Sequence, residues 1–449
     1  MLFAYSILLT LGILVLLPAF LLDAARHGKY VAGLRERAGG VALVDAGGRP
    51  VVWLHCVSVG EAQAARPLVV RLGERFPHLA LAVSTTTLTG QLVAREAFGQ
   101  SAAAVFYFPF DWAWSVRRTL RSVNPSAVLL VETELWPRFL RECRKSGVPV
   151  AVVNGRISQK SFRRYARLGR LIRAVLGDLT LAVMQTEEDA ARIRKLGLVP
   201  ERVKVSGNIK FDLDIPAAEA PATAELRSRF SFDPSRPLVV AASTHAPEES
   251  IIIEAFRKMR SALPDRRPRL LLAPRHPERF AEVAALLDSS GLAWAQRSDA
   301  PAPADADCDA VLLDTIGELR AAYPLAELVF VGGSIAKTGG HNILEPAAAA
   351  RCVVTGLHTF NFKEIVRRFK ELDALIQLPA ISDESSADEL ARVMKELLAD
   401  DARRREIGAR ARAALEQNRG ATERTVEFIA PLLESRRDAW GQSVGPQSL

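Results

Sequence analysis

Four cysteines, no metal-ligand spacing among the histidines and no charge over the first 22 residues: each scarcity excludes something. Cys56, Cys143, Cys308 and Cys352 lie far apart and form no CxxC pair. They exclude a disulfide framework and a cysteine zinc site, and fit reduced thiols in a cytosolic compartment. None of the seven histidines stands in an HExxH or similar spacing, so no protein-bound metal is expected. With 49% hydrophobic and 24% charged residues over 449 positions, the chain reads as folded protein of two or three domains.

The uncharged stretch 1–22 would span roughly 33 Å as a helix at about 1.5 Å per residue, enough to cross a bilayer core. Arg26, Lys29, Arg35 and Arg37 follow at once, and the positive-inside rule places the remainder in the cytoplasm. The other readings are a helix lying in the membrane interface and a cleaved signal peptide, against which stands that nothing basic precedes the apolar run. Net charge is +8, and from Arg156 to Arg173 seven basic residues stand without an acid. Such a run is either a solvated helix face or a patch for anionic lipid head groups. Nucleic acid is not expected: no binding motif is present, and only Phe162 and Tyr165 interleave with those charges.

Beyond the anchor, short runs rich in Val and Leu alternate with amphipathic segments. The runs at 51–57, 79–84, 103–108, 127–131, 149–153, 181–184 and 203–206 read as buried strands of a parallel, doubly wound sheet. Residues 213–235 hold Pro216, Pro221 and Pro234 with many alanines and read as a linker. The alternation then restarts at 238–242, 270–273, 292–295, 310–313, 328–331 and 352–354. The division expected is therefore an anchor over 1–22, a Rossmann-like half over 23–212, the linker, a second half over 236–434 and a polar tail over 435–449. Two such halves face a central cleft, with ligands beyond the carboxyl ends of the strands.

Polar loops fall at those ends. The first strand runs into SVGE (58–61), where Glu61 is placed either to accept a proton from an alcohol or to complement a helix dipole. Pro67 then implies a kink or a helix starting only there. ETELWP (132–137) puts Glu132 and Glu134 at the end of the fourth strand, and Pro137 starts a helix. In GNIKFD (207–212), Lys210 either reaches a phosphate or anionic sugar or is simply solvated. In the second half, Ser243-Thr244-His245 before Pro247 is a helix-start signal. Arg275, in PRHPERF (274–280), is suited to grip a phosphate. Asp314 to Leu319 forms another strand-end loop with a glycine. The strand 328–331 leads into four glycines within nine residues, followed by His341 to Glu345. Glycine lets backbone approach a ligand, the N–H groups opening the next helix suit a phosphate, and the Glu345 carboxylate suits ribose hydroxyls.

SVGE, ETELWP, GNIKFD, PRHPERF, GGHNILEPAA (339–348) and HTFNF (358–362), in this order over roughly 50–365, resemble the 3-deoxy-D-manno-octulosonic acid (Kdo) transferases of lipopolysaccharide synthesis. The resemblance implies an α/β protein of the GT-B class with an N-terminal membrane-anchor helix. It implies metal-independent, inverting transfer of Kdo from CMP-Kdo to a tetraacylated lipid A precursor, at the cytoplasmic face of the inner membrane among its lipids. No cofactor beyond that donor is implied. Glu61 matches the general base, and Glu132 and Lys210 match positions that support the transition state. Pro274, Arg275, Ile316, Gly317, Glu318, Asn342, Ile343, Leu344 and Glu345 match the CMP-contacting segments. Leu357 stands where the family has proline, and Ala246-Pro247 replaces a glycine-containing pair, which leaves local loop geometry open. The alternatives are a UDP-sugar glycosyltransferase or epimerase on the same fold, and a membrane-anchored nucleotide-binding protein without catalysis.

Overall fold

A computed structural model of the protein describes residues 5–7, 9–12, 33–212, 220–380 and 385–434. The chain divides into two compact units, one from Met1–Asp212 with Asn418–Leu449, the other from Leu213–Gln417.

In the first unit the strands are β1 (Val51–His55), β2 (Ala80–Thr85), β3 (Ala104–Tyr107), β4 (Pro125–Val131), β5 (Val150–Gly155), β6 (Leu181–Met184) and β7 (Val203–Val205). They form one sheet in the order β3-β2-β1-β4-β5-β6-β7, with every pair parallel. Strands this apolar need cover on both faces, and they have it. Val51 and Trp53 of β1 enter one core with Phe106, Phe108 and Phe139, while Val52 and Leu54 enter the other. Trp53 is fully buried, stands edge-on to Phe139 at 5.1 Å and donates its indole N–H to Ser84 Oγ at 2.7 Å.

The second core is closed by the C-terminal helix Ala421–Glu434 through Val426, Ile429 and Leu433. Its first turn is tied to the end of β7's loop, where Asp212 accepts the N–H groups of Gly420 (2.7 Å) and Thr422. Residues 418–434, expected in the second half, thus belong to the first unit. Periodicity identifies a helix and its apolar face but does not say which sheet that face covers.

In the second unit the strands are β8 (Leu238–Thr244), β9 (Arg269–Pro274), β10 (Trp294–Gln296), β11 (Ala310–Leu312), β12 (Leu328–Val331), β13 (Cys352–Thr355) and β14 (Ile376–Gln377). Their order is β10-β11-β9-β8-β12-β13-β14, again parallel throughout. The two-residue β14 has no expected counterpart. Helices Glu248–Ser261 and Ser386–Ala399 bury Ile252, Phe256, Met259, Leu390 and Met394 against one face. The expected linker includes a helix, Pro221–Phe230, whose Leu226 and Phe230 are buried. Arg229 fastens it through Asp305 at 2.8 Å, so proline and alanine here open a helix of the second unit.

Among the described residues no helix is long and apolar enough to cross a membrane. The expected anchor falls mostly, and the expected tail from 435 wholly, outside the described residues. Of that first segment, Tyr5 donates to Asp111 (2.9 Å), while Ser6 and Thr10 accept from Arg138 Nε (2.7 Å) and Trp112 Nε1 (3.1 Å). The basic run lies on helices Gln159–Ala166 and Arg170–Leu176 and the turn between them, with Lys160, Arg163, Arg164, Arg167, Arg170 and Arg173 exposed.

Candidate functional site

Each sheet reverses its winding once, between β1 and β4 in the first unit and between β8 and β12 in the second. Ligands of doubly wound sheets bind outside the carboxyl ends of the strands at such points. SVGE follows β1 and ETELWP follows β4; the turn at 245–247 and the loop at 332–343 follow β8 and β12.

Ser58, in extended conformation, precedes the helix Val59–Arg75, which runs unbroken through Pro67. Glu61, in the first turn, bends back. Its two oxygens accept the Val57 N–H at 2.7 Å and the Ser58 hydroxyl at 3.1 Å, a relative of the capping box. Burial, then the like charge of Glu132 and more weakly Glu134, pushes its pKa up to about 7, against those two hydrogen bonds. Glu134 is raised as well, by burial and by Glu132. Beneath them Cys56 is fully buried, and burial with both Glu61 and Glu132 lifts its thiol far above the range of a reactive cysteine. His55 stacks on Phe108 at 3.9 Å, and burial drops it to about 3, leaving it neutral.

Glu132 sits at φ 58°, a left-handed conformation uncommon outside glycine, asparagine and aspartate. Its N–H is held by the Val153 carbonyl at 3.0 Å. Lys210 Nζ lies 2.9 Å from Glu132 Oε1, both side chains about one quarter exposed. The structure therefore brings Glu61, Glu132 and Lys210 into one electrostatic group.

In the second unit the glycine-rich loop departs from expectation. The N–H groups of Gly333 (2.7 Å), Ser334 (2.8 Å), Ile335 (2.8 Å) and Ala336 (3.1 Å) all point at the carboxylate of Glu248, which also takes the His245 N–H at 3.0 Å. The anion in this nest is a side chain of the protein itself. Burial raises the Glu248 pKa while these N–H groups oppose the rise. Gly332 is required by proximity, since a Cβ there would stand 2.7 Å from the Ser243 carbonyl and 2.8 Å from Glu248. The following helix, Leu344–Ala348, is short and starts late, so His341 and Asn342 lie in loop. Asn342 accepts the Leu344 N–H at 3.0 Å and its side chain bonds Glu345, whose pKa burial raises. Ile343 and Leu344 are buried, and the Leu344 N–H is already given to Asn342.

Pro274 ends β9. Arg275 is exposed, and no carboxylate pairs with it among the described residues. Arg279 of the same motif is committed to the fully buried Glu249 and to Glu282. Ile316 is exposed beside Gly317 at φ 93°. Glu318 is held by both nitrogens of the Arg297 fork, at 2.8 and 3.0 Å, which lowers its pKa. His245 and His341 meet Nε2 to Nε2 at 2.7 Å with rings 3° from parallel, and His276 stands edge-on to His245. Burial first, then His245 and Arg275, drops His341 to about 4, and burial lowers His245 as well.

Sequence reasoning missed the seat of Glu248 in the glycine-rich loop and the pairing of His245 with His341. The acidic pair following Pro247 was a signal for Glu248, but it reads first as a helix start.

The family model described as 3-deoxy-D-manno-octulosonic-acid transferase matches residues 32–213. A 3-deoxy-D-manno-octulosonic acid transferase of Haemophilus influenzae is 34% identical over 96% of this chain and 99% of its own. One from Bordetella pertussis is 37% identical over 84% of this chain and 86% of its own. Among solved structures, UDP-GlcNAc 2-epimerase from Neisseria meningitidis bound to UDP-GlcNAc covers 85% of this chain and 99% of its own, with a TM-score of 0.53 and 11% identity. That last likeness shows the fold alone, of GT-B type. Matched over 96% and 84% of its length by these two relatives at 34% and 37% identity, the chain belongs to the family of Kdo transferases.

Proposed function

We propose that the protein transfers Kdo from CMP-Kdo to a hydroxyl of a tetraacylated lipid A precursor, with inversion and without a bound metal. Glu61 takes the proton of the acceptor hydroxyl, the oxygen forms its bond to the anomeric carbon, and CMP leaves with the electron pair. The observation that carries this is the position of Glu61 in the first helical turn after β1, its carboxylate held by the Val57 N–H and the Ser58 hydroxyl, where burial and the charge of Glu132 push its pKa up to about 7. An alcohol needs a base poised near the working pH, and such a base contributes about 10² to 10⁴ in rate. Lys210, held in place by Glu132, supplies positive charge for the negative charge that grows on the leaving group.

The segments Pro274–Arg275, Ile316–Glu318 and Asn342–Glu345 bind the cytidylate. Arg275, exposed and without a carboxylate partner among the described residues, is its cation, and Glu345 faces the ribose. No cofactor beyond the donor takes part. The protein works at the cytoplasmic face of the inner membrane, held by 1–22 and by the basic helices against anionic lipid. Incubation with CMP-Kdo and the lipid A precursor, followed by mass analysis, tests the reaction. A Kdo-bearing product that disappears with Glu61→Gln is expected. Tighter binding of UDP than of CMP overturns the donor assignment.

A further inference from the structure

Lys210 sits in the middle of a three-residue 3-10 turn, Ile209–Phe211, too short to hold its own shape. A closed ring of amides holds it. The Lys210 N–H donates to Asn208 Oδ1 at 3.0 Å, and Asn208 Nδ2 donates to Gln185 Oε1 at 3.1 Å. Gln185 Nε2 donates to the Asn154 carbonyl at 3.0 Å, and Asn154 Oδ1 accepts the Ile209 N–H at 3.1 Å, back in the turn. The bond from Ile209 settles which way the Asn154 amide points.

Asn154 is an odd residue to find there for stability alone. It is fully buried at the end of β5, sits at φ 53°, and leaves its Nδ2 without a partner. A strained backbone and an unpaired buried donor both cost stability, and such costs gather where geometry serves a site. Its neighbour Val153 supplies the carbonyl that holds the N–H of Glu132, itself at φ 58°. One dipeptide at the end of β5 therefore braces both members of the Glu132–Lys210 pair. Glu132 is braced from the main chain, and Lys210 through the side-chain ring.

We infer that Asn154, Gln185 and Asn208 are positioning residues for the transfer reaction, setting where the Lys210 ammonium stands against Glu132. This rests on the proposed role of Lys210 in that reaction. Gln185→Leu keeps the volume and removes both hydrogen bonds. Asn154→Gly accepts the left-handed backbone without strain and removes the acceptor for Ile209. Each is expected to lower kcat about tenfold or more while KM for CMP-Kdo stays within about twofold, because a misplaced charge is felt in the transition state. In a Lys210→Ala background, measured as single turnovers at high enzyme concentration, adding Gln185→Leu is expected to cost nothing further.

A folded Gln185→Leu with wild-type kcat overturns the inference. So does a Gln185→Leu that slows Lys210→Ala by the same factor as it slows the wild type, since that is the mark of a general structural role. Should Gln185→Leu not fold, Asn154→Gly carries the same comparisons. Wild-type kcat in Lys210→Ala refutes the role of Lys210 and takes this inference with it, which separates the two failures.

Discussion

Replacing Glu61 by glutamine should move two measurements in opposite directions. The carboxyl is held at about 7 in the folded unit against an ordinary 4.5, burial being the largest cause and Glu132 the next. An acid whose folded pKa is raised costs stability when it ionises. Below 4.5 both states are protonated and the cost is absent; between 4.5 and 7 it grows; above 7 it is complete. At about 1.36 kcal/mol per pH unit the displacement amounts to roughly 3 kcal/mol. Glutamine keeps an acceptor for the Val57 N–H and carries no charge to bury, so Glu61→Gln should stabilise the protein by up to about 3 kcal/mol at pH 8 and by almost nothing near pH 4.5. For a unit of this size that is about 5–10 °C in melting temperature. The same substitution should cut transfer by about 10² to 10⁴. Calorimetry at the two pH values and a transfer assay on the same preparations decide it. Equal melting of both proteins at pH 8 would show that Glu61 ionises freely and is not poised. Persistent transfer would remove it as the base.

In wild type, kcat/KM should climb with pH through about 7, and Lys210→Ala should shift that limb upward, since Glu132 then repels the ionised Glu61 without a counter-charge. An unmoved limb in the pH–rate profile would show no such coupling; kcat itself should drop about 10²- to 10³-fold. Glu248→Ala strips five N–H groups of their acceptor and should destabilise the second unit by about 3–5 kcal/mol in denaturant titration, with Glu248→Gln milder. A loss under about 1 kcal/mol would mean water replaces the carboxylate in that nest. Arg275→Ala should leave the melting temperature unchanged and weaken CMP binding about 10- to 100-fold, read by isothermal titration.

The sheets were legible because parallel strands buried on both faces are plain apolar runs. For β6 and β12 the expected and observed bounds coincide. β8 instead runs on through Ser243 and Thr244, polar residues that end an apolar pattern without ending a ladder. Glu61 and Glu132 were visible as acids directly after such runs. Asn154 and Gln185 were not, being uncharged and meaningful only through partners 55 and 23 residues further on. The C-terminal helix showed the same blindness at larger scale: its apolar stripe is clear in the sequence, while the sheet it covers is fixed by Asp212 and packing.

The glycine-rich loop marks where local pattern and long-range pairing part most sharply. Four successive N–H groups after a strand suit an external phosphate, and nothing nearby in the sequence says otherwise. Yet Glu248, 85 residues before Gly333, fills that nest. The consequence is electrostatic. With the N–H groups of Gly333 to Ala336 occupied, and the N–H of Gly340 bonded to the Gly333 carbonyl at 2.7 Å, those positions offer no main-chain donor to a nucleotide phosphate. His341 stays neutral at physiological pH, and Arg279 is spent on Glu249 and Glu282. On the proposed reading Arg275 is then the main cation for the phosphate, and Arg275→Ala is expected at the hundredfold end of the range given above. A loss nearer twofold would place the phosphate on backbone N–H groups elsewhere in the unit.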